Sequence, residues 1–479
     1  MATAADLVRW PGRPRGAVLV AAAGIVGAEA LIGAAVASGR RELALAAVGG
    51  AAASWALVRA PFAGACAFLA LVASVLAGPP IGISLAGYRL HAHELLLAGL
   101  LALAWLRPRR RTWGGAAGLA LALFLGVLAL SAALAVQSGA GPLSEVIQWS
   151  RGYVLLAFFW VVVRLFPERE QLLRLLRAAA VIGGVTGFYA FALALGLSPE
   201  PLFTNPGEAV IAPQGALQRV RLPGLALSFA MLWLVLLAVV RGARPRLLWG
   251  LCLLGCALDL LVSFNRNMWV AAAVGVALLL LLTGPQVRGR VVASFAVVLA
   301  AVALLVVVPQ TSGPVTAAIE PLVERGETLL RPSRVRRESS LQDRMIENRI
   351  AWATAREHLL LGVGPGVGWG LYQLDRSLPV PRRTPQLFIH NQYLYLLVIA
   401  GIPGLVCFVL FLLRSAAAAF GGVRRQPELA VLGIAIVGFM LTSIVMLSFS
   451  DPSYLAAIAL VTAAAIALRA AAPAPEGGR

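Results

Sequence analysis

The sequence predicts an all-α, polytopic membrane protein, and three observations carry that prediction. Hydrophobic residues fill 60% of the 479 positions and charged residues only 13%, far from the balance of a soluble domain. The apolar residues fall in runs of about the length needed to cross a hydrocarbon core. Arginine is concentrated in alternate connections between those runs, which is how topology is written into a membrane chain.

In order, the runs lie at roughly 16–38, 42–58, 62–78, 92–107, 114–136, 152–166, 176–196, 223–240, 246–263, 268–283, 291–308, 391–413, 429–447 and 454–469. Some are short, and Arg59-Ala60-Pro61 marks either a tight hairpin or a broken helix, so about 12–14 transmembrane helices are expected. The first run follows Arg9, Arg13 and Arg15 and reads as a retained anchor rather than a cleaved signal. The expected division is an N-terminal bundle over 1–308, one large external loop over 309–389 containing short helices, and C-terminal helices over 390–479.

Charge sets the orientation and excludes several chemistries. The chain contains no Lys, so all 40 basic residues are Arg and the formal net charge is +19. A lysine Schiff base and a Walker-type phosphate site are therefore excluded. With the N-terminus inside, the inner connections hold Arg107–Arg111, Arg164–Arg177, Arg241–Arg246, Arg288/Arg290 and Arg414/Arg424/Arg425. Both termini are then expected on the cytoplasmic side, and the basic charge needs no nucleic-acid partner to explain it. Cys66, Cys252, Cys256 and Cys407 all sit inside apolar runs and read as packing residues, without metal-ligand spacing.

The external loop is about eighty residues long, too long for an ordinary connection, which points to function. Its middle, Leu341 to Leu361, reads as a helix with Leu341, Met345, Trp352, Leu359 and Leu360 as its apolar residues. Arg349, Trp352 and Arg356 share a face. Gly362-Val-Gly-Pro-Gly-Val-Gly-Trp-Gly370 ends it. The spacing is wrong for a dinucleotide fingerprint, so the run reads as a tight turn bringing backbone close to the membrane surface, with N–H groups able to meet an anion. Pro379, Pro381 and Pro385 stiffen the return towards His390.

At that return the loop enters a span through Leu387-Phe-Ile-His-Asn-Gln-Tyr-Leu, later broken by Gly401-Ile-Pro-Gly404. On a helix, His390, Tyr393, Leu397 and Gly401 share one face. His390 is either an interfacial residue bonded to a neighbouring carbonyl or a functional one facing a wet cavity. Ser263-Phe-Asn-Arg-Asn-Met-Trp269 is a second boundary stretch. It places Arg266 at the outer membrane surface, with Asp259 two turns below on the same face. Arg266 either snorkels to lipid phosphate or serves a site; Asp259 either pairs with an Arg or lines a polar cavity. Arg219 and Arg221 stand just before another span.

Four of these stretches together resemble the O-antigen ligase and polymerase superfamily of polytopic glycan transferases. They are His390-Asn-x-Tyr-Leu with Gly401-x-Pro-Gly404, and Arg349-x-x-Trp352 leading to Gly362-Val-Gly-Pro-Gly366. Ser263-x-x-Arg266-x-x-Trp269 and the arginine-bearing outer loop before a span complete the set. The similarity covers roughly Arg219 to Phe449. It departs from the family at Arg221-Leu-Pro-Gly-Leu-Ala-Leu, where an Asn-Pro pair is often found, so either Arg219 or Arg221 holds the family position.

The resemblance implies an enzyme of the cytoplasmic (inner) membrane with its active site on the external, periplasmic side. The donor is a glycan on an undecaprenyl (polyprenyl) diphosphate, and the acceptor is a hydroxyl on a lipid core or another glycan. His390, Arg266 and Arg221 are the implied catalytic residues. Arg219, Arg349, Trp352, Asn391, Tyr393, Gly364 and Gly366 are the implied substrate-binding residues. Arginine suits a departing diphosphate because it is permanently charged and forks onto two oxygens. His390 would orient or deprotonate the acceptor hydroxyl. No Asp-x-Asp motif occurs, so no metal and no cofactor are expected. A polymerase of the same superfamily is the alternative. A lipid-linked glycan flippase or other transporter is the alternative of a different class, though it should show two similar halves, which this sequence lacks.

Overall fold

The computed structural model describes residues 57–73, 83–85, 88–106, 113–197, 210–214, 217–307, 339–373, 383–387, 389–423, 426–445 and 452–471. The expected span at 16–38, most of that at 42–58, the arginines at 107–111 and 424–425, the loop from 309 to 338, and Pro379 and Pro381 lie outside these residues.

Among the described residues the architecture is helical, with three small hairpins. The N-terminal part runs α1 (Pro61–Val72), α2 (Ala92–Leu106), α3 (Gly115–Gln137), α4 (Leu143–Val154), α5 (Phe158–Leu165) and α6 (Arg169–Ala194). Then come α7 (Leu225–Val240), α8 (Arg246–Val262), α9 (Arg266–Leu282) and α10 (Pro285–Val307). Helix α11 spans Ser339–Glu357, and α12 (Gln392–Phe420), α13 (Pro427–Thr442) and α14 (Pro452–Ala471) follow. Among the described residues, five helical segments are long and apolar enough to cross a membrane and five further apolar helices are shorter. The chain is an all-α polytopic membrane protein. At Pro61 the chain breaks one helix and starts another, as a ring without an N–H donor requires.

The hairpins pair Ile83–Leu85 with Tyr88–Leu90 (β1, β2), Val210–Gln214 with Leu217–Arg221 (β3, β4), and Trp369–Gln373 with Arg383–Gln386 (β5, β6). All are antiparallel and two-stranded.

Helix α14 is apolar all round and almost wholly buried, packed by α5, α7, α12 and α13, so it forms the centre of the bundle. Helix α3, by contrast, exposes Leu119, Leu123, Leu130 and Leu134, a stripe suited to lipid. Helices α6 and α8 approach closely because glycines from both, Gly184 and Gly187 of α6 and Gly255 of α8, meet at the crossing. A Cβ on Gly187 would lie 1.8 Å from the Gly255 carbonyl oxygen. Cys252 and Cys256 fill the same interface as free thiols, the packing role expected of them. Asp259 is fully buried beside it and accepts a 2.6 Å hydrogen bond from the Ser228 hydroxyl of α7.

Candidate active site

Helix α11 runs where its sequence predicts, but it buries a different face. Met345, Trp352, Leu359 and Leu360 are exposed, whereas Glu347, Ala351 and Ala355 form the buried stripe at i, i+4 and i+8. Small residues win the interface because α11 lies tightly along α12 and β5. Arg349, Trp352 and Arg356 do share the outer face, with the Arg356 guanidinium 5.1 Å from the Trp352 ring centroid. Two residues on from Glu347, Arg349 points about 200° away around the helix, so α11 holds its Arg/Trp face apart from the Glu347 contact.

The glycine run after α11 and the break in α12 are one structural unit. Gly401 has φ 65° and ψ −170° inside α12, and Pro403 follows it. Pro403 has no N–H for the carbonyl of Ile399, four residues back. That carbonyl instead accepts from Gly364 N (3.2 Å), with the Ser131 hydroxyl of α3 also 2.7 Å away. Ile402 N turns to the Leu359 carbonyl at 2.8 Å, which frees the Val398 carbonyl for Val363 N at 2.8 Å. Buried backbone polar groups are thus paired across the break.

Only glycine fits both sides of this contact. Gly362 has φ 68°, and a Cβ there would stand 2.4 Å from the Val398 oxygen. A Cβ on Gly401 would stand 2.5 Å from the Leu360 oxygen. Gly364 and Gly366 are buried against Ala135 of α3 and Glu145 of α4. The N–H groups of Val363 and Gly364 are spent on α12. The run is therefore a wedge in a helix break, about 15 Å along α12 from His390 at a rise of ~1.5 Å per residue.

His390 sits at the other end of that stretch. Its Nδ1 lies 3.0 Å from Glu347 Oε2, and its backbone N–H donates to the same oxygen at 3.3 Å. The His390 side chain is 43% exposed and that of Glu347 only 10%. The carboxylate comes from inside and the imidazole is the more exposed of the pair. With Nδ1–H held on the carboxylate, Nε2 carries the lone pair and can accept a proton. Asn391 caps α12, its Oδ1 accepting from Leu394 N at 3.1 Å, and Tyr393 anchors the first turn by donating to the Met440 carbonyl at 2.9 Å.

Two further helix ends meet this one at the turn after α13. Gln392 N donates to the Ser443 carbonyl at 2.9 Å, and Asn267 Nδ2 of α9 reaches the Val445 carbonyl at 3.4 Å. The α9 start carrying Arg266 and the α12 start carrying His390 are therefore tied to one short segment. The turn into α9 is tight: Phe264 is left-handed at φ 48° and buried, Asn265 caps α9, and Trp269 Nε1 closes back on the Leu260 carbonyl at 2.8 Å. Strand β4 adds its arginines to the same end, since Arg219 Nε donates to the Ser263 carbonyl at 3.2 Å. Val220 is buried among Phe191, Leu258 and Val262. Strand alternation consequently puts Arg219 and Arg221 together on the opposite face. The strand therefore presents both arginines on one face.

The structure thus brings His390, Asn391, Arg266, Arg219 and Arg221 to one end of the bundle, and adds Glu347, which sequence reasoning missed. It places Arg349 and Trp352 on the far side of α11, and Gly364 and Gly366 in packing contacts. Among the described residues no group of three His, Cys, Asp or Glu side chains is arranged to hold a metal.

Residues 251–409, which span α8 to the middle of α12 and include Arg266, Glu347 and His390, match the family model described as O-antigen ligase. The match covers about a third of the chain, and over those residues the chain is similar to that family. No curated protein matches the chain.

Proposed function

We propose that this protein is a membrane glycosyltransferase of the O-antigen ligase type. It moves a glycan from an undecaprenyl-diphosphate carrier to a hydroxyl of a lipid core or glycan, at the outer leaflet of the inner membrane. The observation that carries this reading is the His390–Glu347 pair at the bundle end that also carries Arg219, Arg221 and Arg266.

In the proposed reaction the acceptor hydroxyl attacks the anomeric carbon and its proton passes to His390 Nε2. A new carbon–oxygen bond forms as the bond from that carbon to the diphosphate oxygen breaks. Both electrons of the broken bond leave with the lipid diphosphate. Glu347 holds the ring in the accepting tautomer and stabilises the imidazolium that results. Fixed guanidinium charge at Arg266, with Arg219 and Arg221, stabilises the departing diphosphate without a bound metal. The outer face of α11, with Arg349 and Trp352, is available to the glycan.

The test is transfer by purified protein from a synthetic lipid-diphosphate-linked glycan to acceptor. The expected products are lengthened acceptor and free lipid diphosphate in equal amounts. Movement of intact donor between leaflets without release of lipid diphosphate would refute the transferase reading in favour of a flippase. A product that is a longer carrier-linked glycan would identify a polymerase.

A further inference from the structure

At the opposite end of the bundle from His390, the start of α6, the end of α7 and the start of α8 enclose a cavity of about 570 Å³. Its inner wall is aliphatic, with Val181 of α6 and Leu237 of α7, and its mouth carries Arg177, Arg241 and Arg244. One carboxylate faces them: Glu428 at the start of α13 lies 3.8 Å from Arg241 and 3.1 Å from Arg169. Three lining guanidinium groups against one shared carboxylate leave the mouth cationic. Arg177 and Arg244 have no hydrogen-bonding or ionic partner among the described residues.

Two buried polar atoms at this cavity also lack partners among the described residues. One is the Trp249 indole N–H, on a side chain only 5% exposed, and the other is Glu428 Oε2. A buried donor and a buried acceptor left unmatched each carry a desolvation cost. A ligand that supplied an acceptor to Trp249 and a hydroxyl donor to Glu428 would remove both.

We infer that this cavity binds an anionic phospholipid with a hydroxyl-bearing headgroup, of the phosphatidylglycerol type, from the leaflet opposite the candidate active site. Its phosphate meets Arg177, Arg244 and the Trp249 N–H, its headgroup hydroxyl meets Glu428, and an acyl chain lies along the aliphatic wall. Basic pockets between membrane helices are suited to anionic headgroups, and arginine matches phosphate oxygens in pairs. A fully aqueous anion would leave the aliphatic wall uncovered. A zwitterionic headgroup would leave the excess positive charge unmatched. The inference does not depend on the transferase reading.

The test uses purified full-length protein equilibrated with vesicles of phosphatidylglycerol, phosphatidylethanolamine or phosphatidylcholine, with retained lipid counted by native mass spectrometry. Phosphatidylglycerol is expected to be retained on the order of tenfold better than either zwitterionic lipid. Replacing both Arg177→Gln and Arg244→Gln should remove that preference, while Arg174→Gln, exposed on the same helix outside the cavity, should leave it intact. Ala178→Leu fills the aliphatic half without touching charge and should also lower retention, so the inference stays testable if the double variant does not fold. Equal retention of the three lipids overturns it, as does an unchanged preference in the double variant. Displacement of the lipid by millimolar inorganic phosphate overturns it in favour of a free-anion site.

Discussion

One carboxylate oxygen, Oε2 of Glu347, receives both the backbone N–H of His390 and its Nδ1, at 3.3 and 3.0 Å. The two contacts do different work. The backbone bond fixes where α12 begins relative to α11, and the ring bond fixes which imidazole nitrogen faces out. Glu347 therefore acts through His390, as a positioning residue for the proposed base. Glu347→Gln keeps the size and one hydrogen bond but offers an amide that can also donate to Nδ1 and reverse the tautomer. Its turnover is expected to fall at least about tenfold with KM for the donor little changed. Glu347→Asp should recover part of the loss because it restores the charge. Gln and wild-type proteins turning over equally would mean that the pair only anchors the helix.

A second prediction concerns the wedge between Gly362 and Gly401. Either residue replaced by Ala would put a Cβ inside contact distance of backbone oxygen and force a left-handed φ on a residue that disfavours it. Each substitution should cost on the order of 1–3 kcal/mol, seen as a lower unfolding temperature in detergent. Pro403→Ala should be milder. It restores an N–H that competes with Gly364 for the Ile399 carbonyl, so the wedge loosens without a clash. If Gly362→Ala unfolds at the wild-type temperature, the backbone exchange across the break is not holding the loop.

These two contacts mark where the sequence was readable and where it was not. The spans were legible because apolar length is a local property, and Gly401-Ile-Pro-Gly404 announced a break by composition alone. His390 and Arg266 stood out as polar residues at hydrophobic boundaries. Glu347 did not, because it is one charged residue among Asp343, Arg344, Arg349 and Glu357 on a polar helix. Its burial is decided by how α11 docks on α12. The same docking exposed Met345 and Leu360 and buried Ala351 and Ala355, against their hydrophobicity. The short hairpins were invisible because strands of three to five residues, as in β1 to β6, show too little alternation to separate from loop. The β3–β4 hairpin mattered most, since its register places Arg219 and Arg221 on one face.

The sidedness of the bundle yields a third prediction. By arginine alternation the α11 end is expected outside and the Arg169 end inside. Single cysteines replacing Met345, exposed on α11, and Glu170, exposed at the start of α6, can be placed in a protein lacking the four native thiols. An impermeant thiol reagent should label position 345 in intact cells and position 170 only after lysis. The reverse pattern would put the candidate site on the cytoplasmic side and remove the external donor from consideration.

Arg266 should not tolerate lysine. It opens α9 at a turn fixed by Phe264, Asn265 and Trp269, so its position is set by backbone rather than by a flexible loop. Lys retains the charge but lacks the planar fork that meets two diphosphate oxygens. Arg266→Lys is expected to lose transfer on the order of tenfold to a hundredfold while inserting and folding normally. Near-normal transfer by the lysine variant would reduce Arg266 to a topological charge.

The last prediction joins His390 to metal independence. If His390 takes the acceptor proton and arginines hold the leaving group, divalent ions have no necessary part, and EDTA should leave transfer intact. His390→Ala should lower transfer about a hundredfold or more, the usual scale for a positioned acid–base group. Folding should survive, because α12 retains its Asn391 cap, its contacts with α3, α13 and α14, and the wedge at Gly401. The discriminating variant is His390→Gln. Gln can keep a hydrogen bond to Glu347, and so preserve any purely structural role, but it cannot accept a proton at neutral pH. A helix anchor would therefore work as Gln and a general base would not. The comparison is made in purified, EDTA-treated protein, with transfer and unfolding temperature measured on the same samples. Wild-type unfolding with transfer lost identifies the base. Full transfer by the Gln variant removes His390 from that role, and loss of wild-type transfer in EDTA removes the arginine-only account of the leaving group.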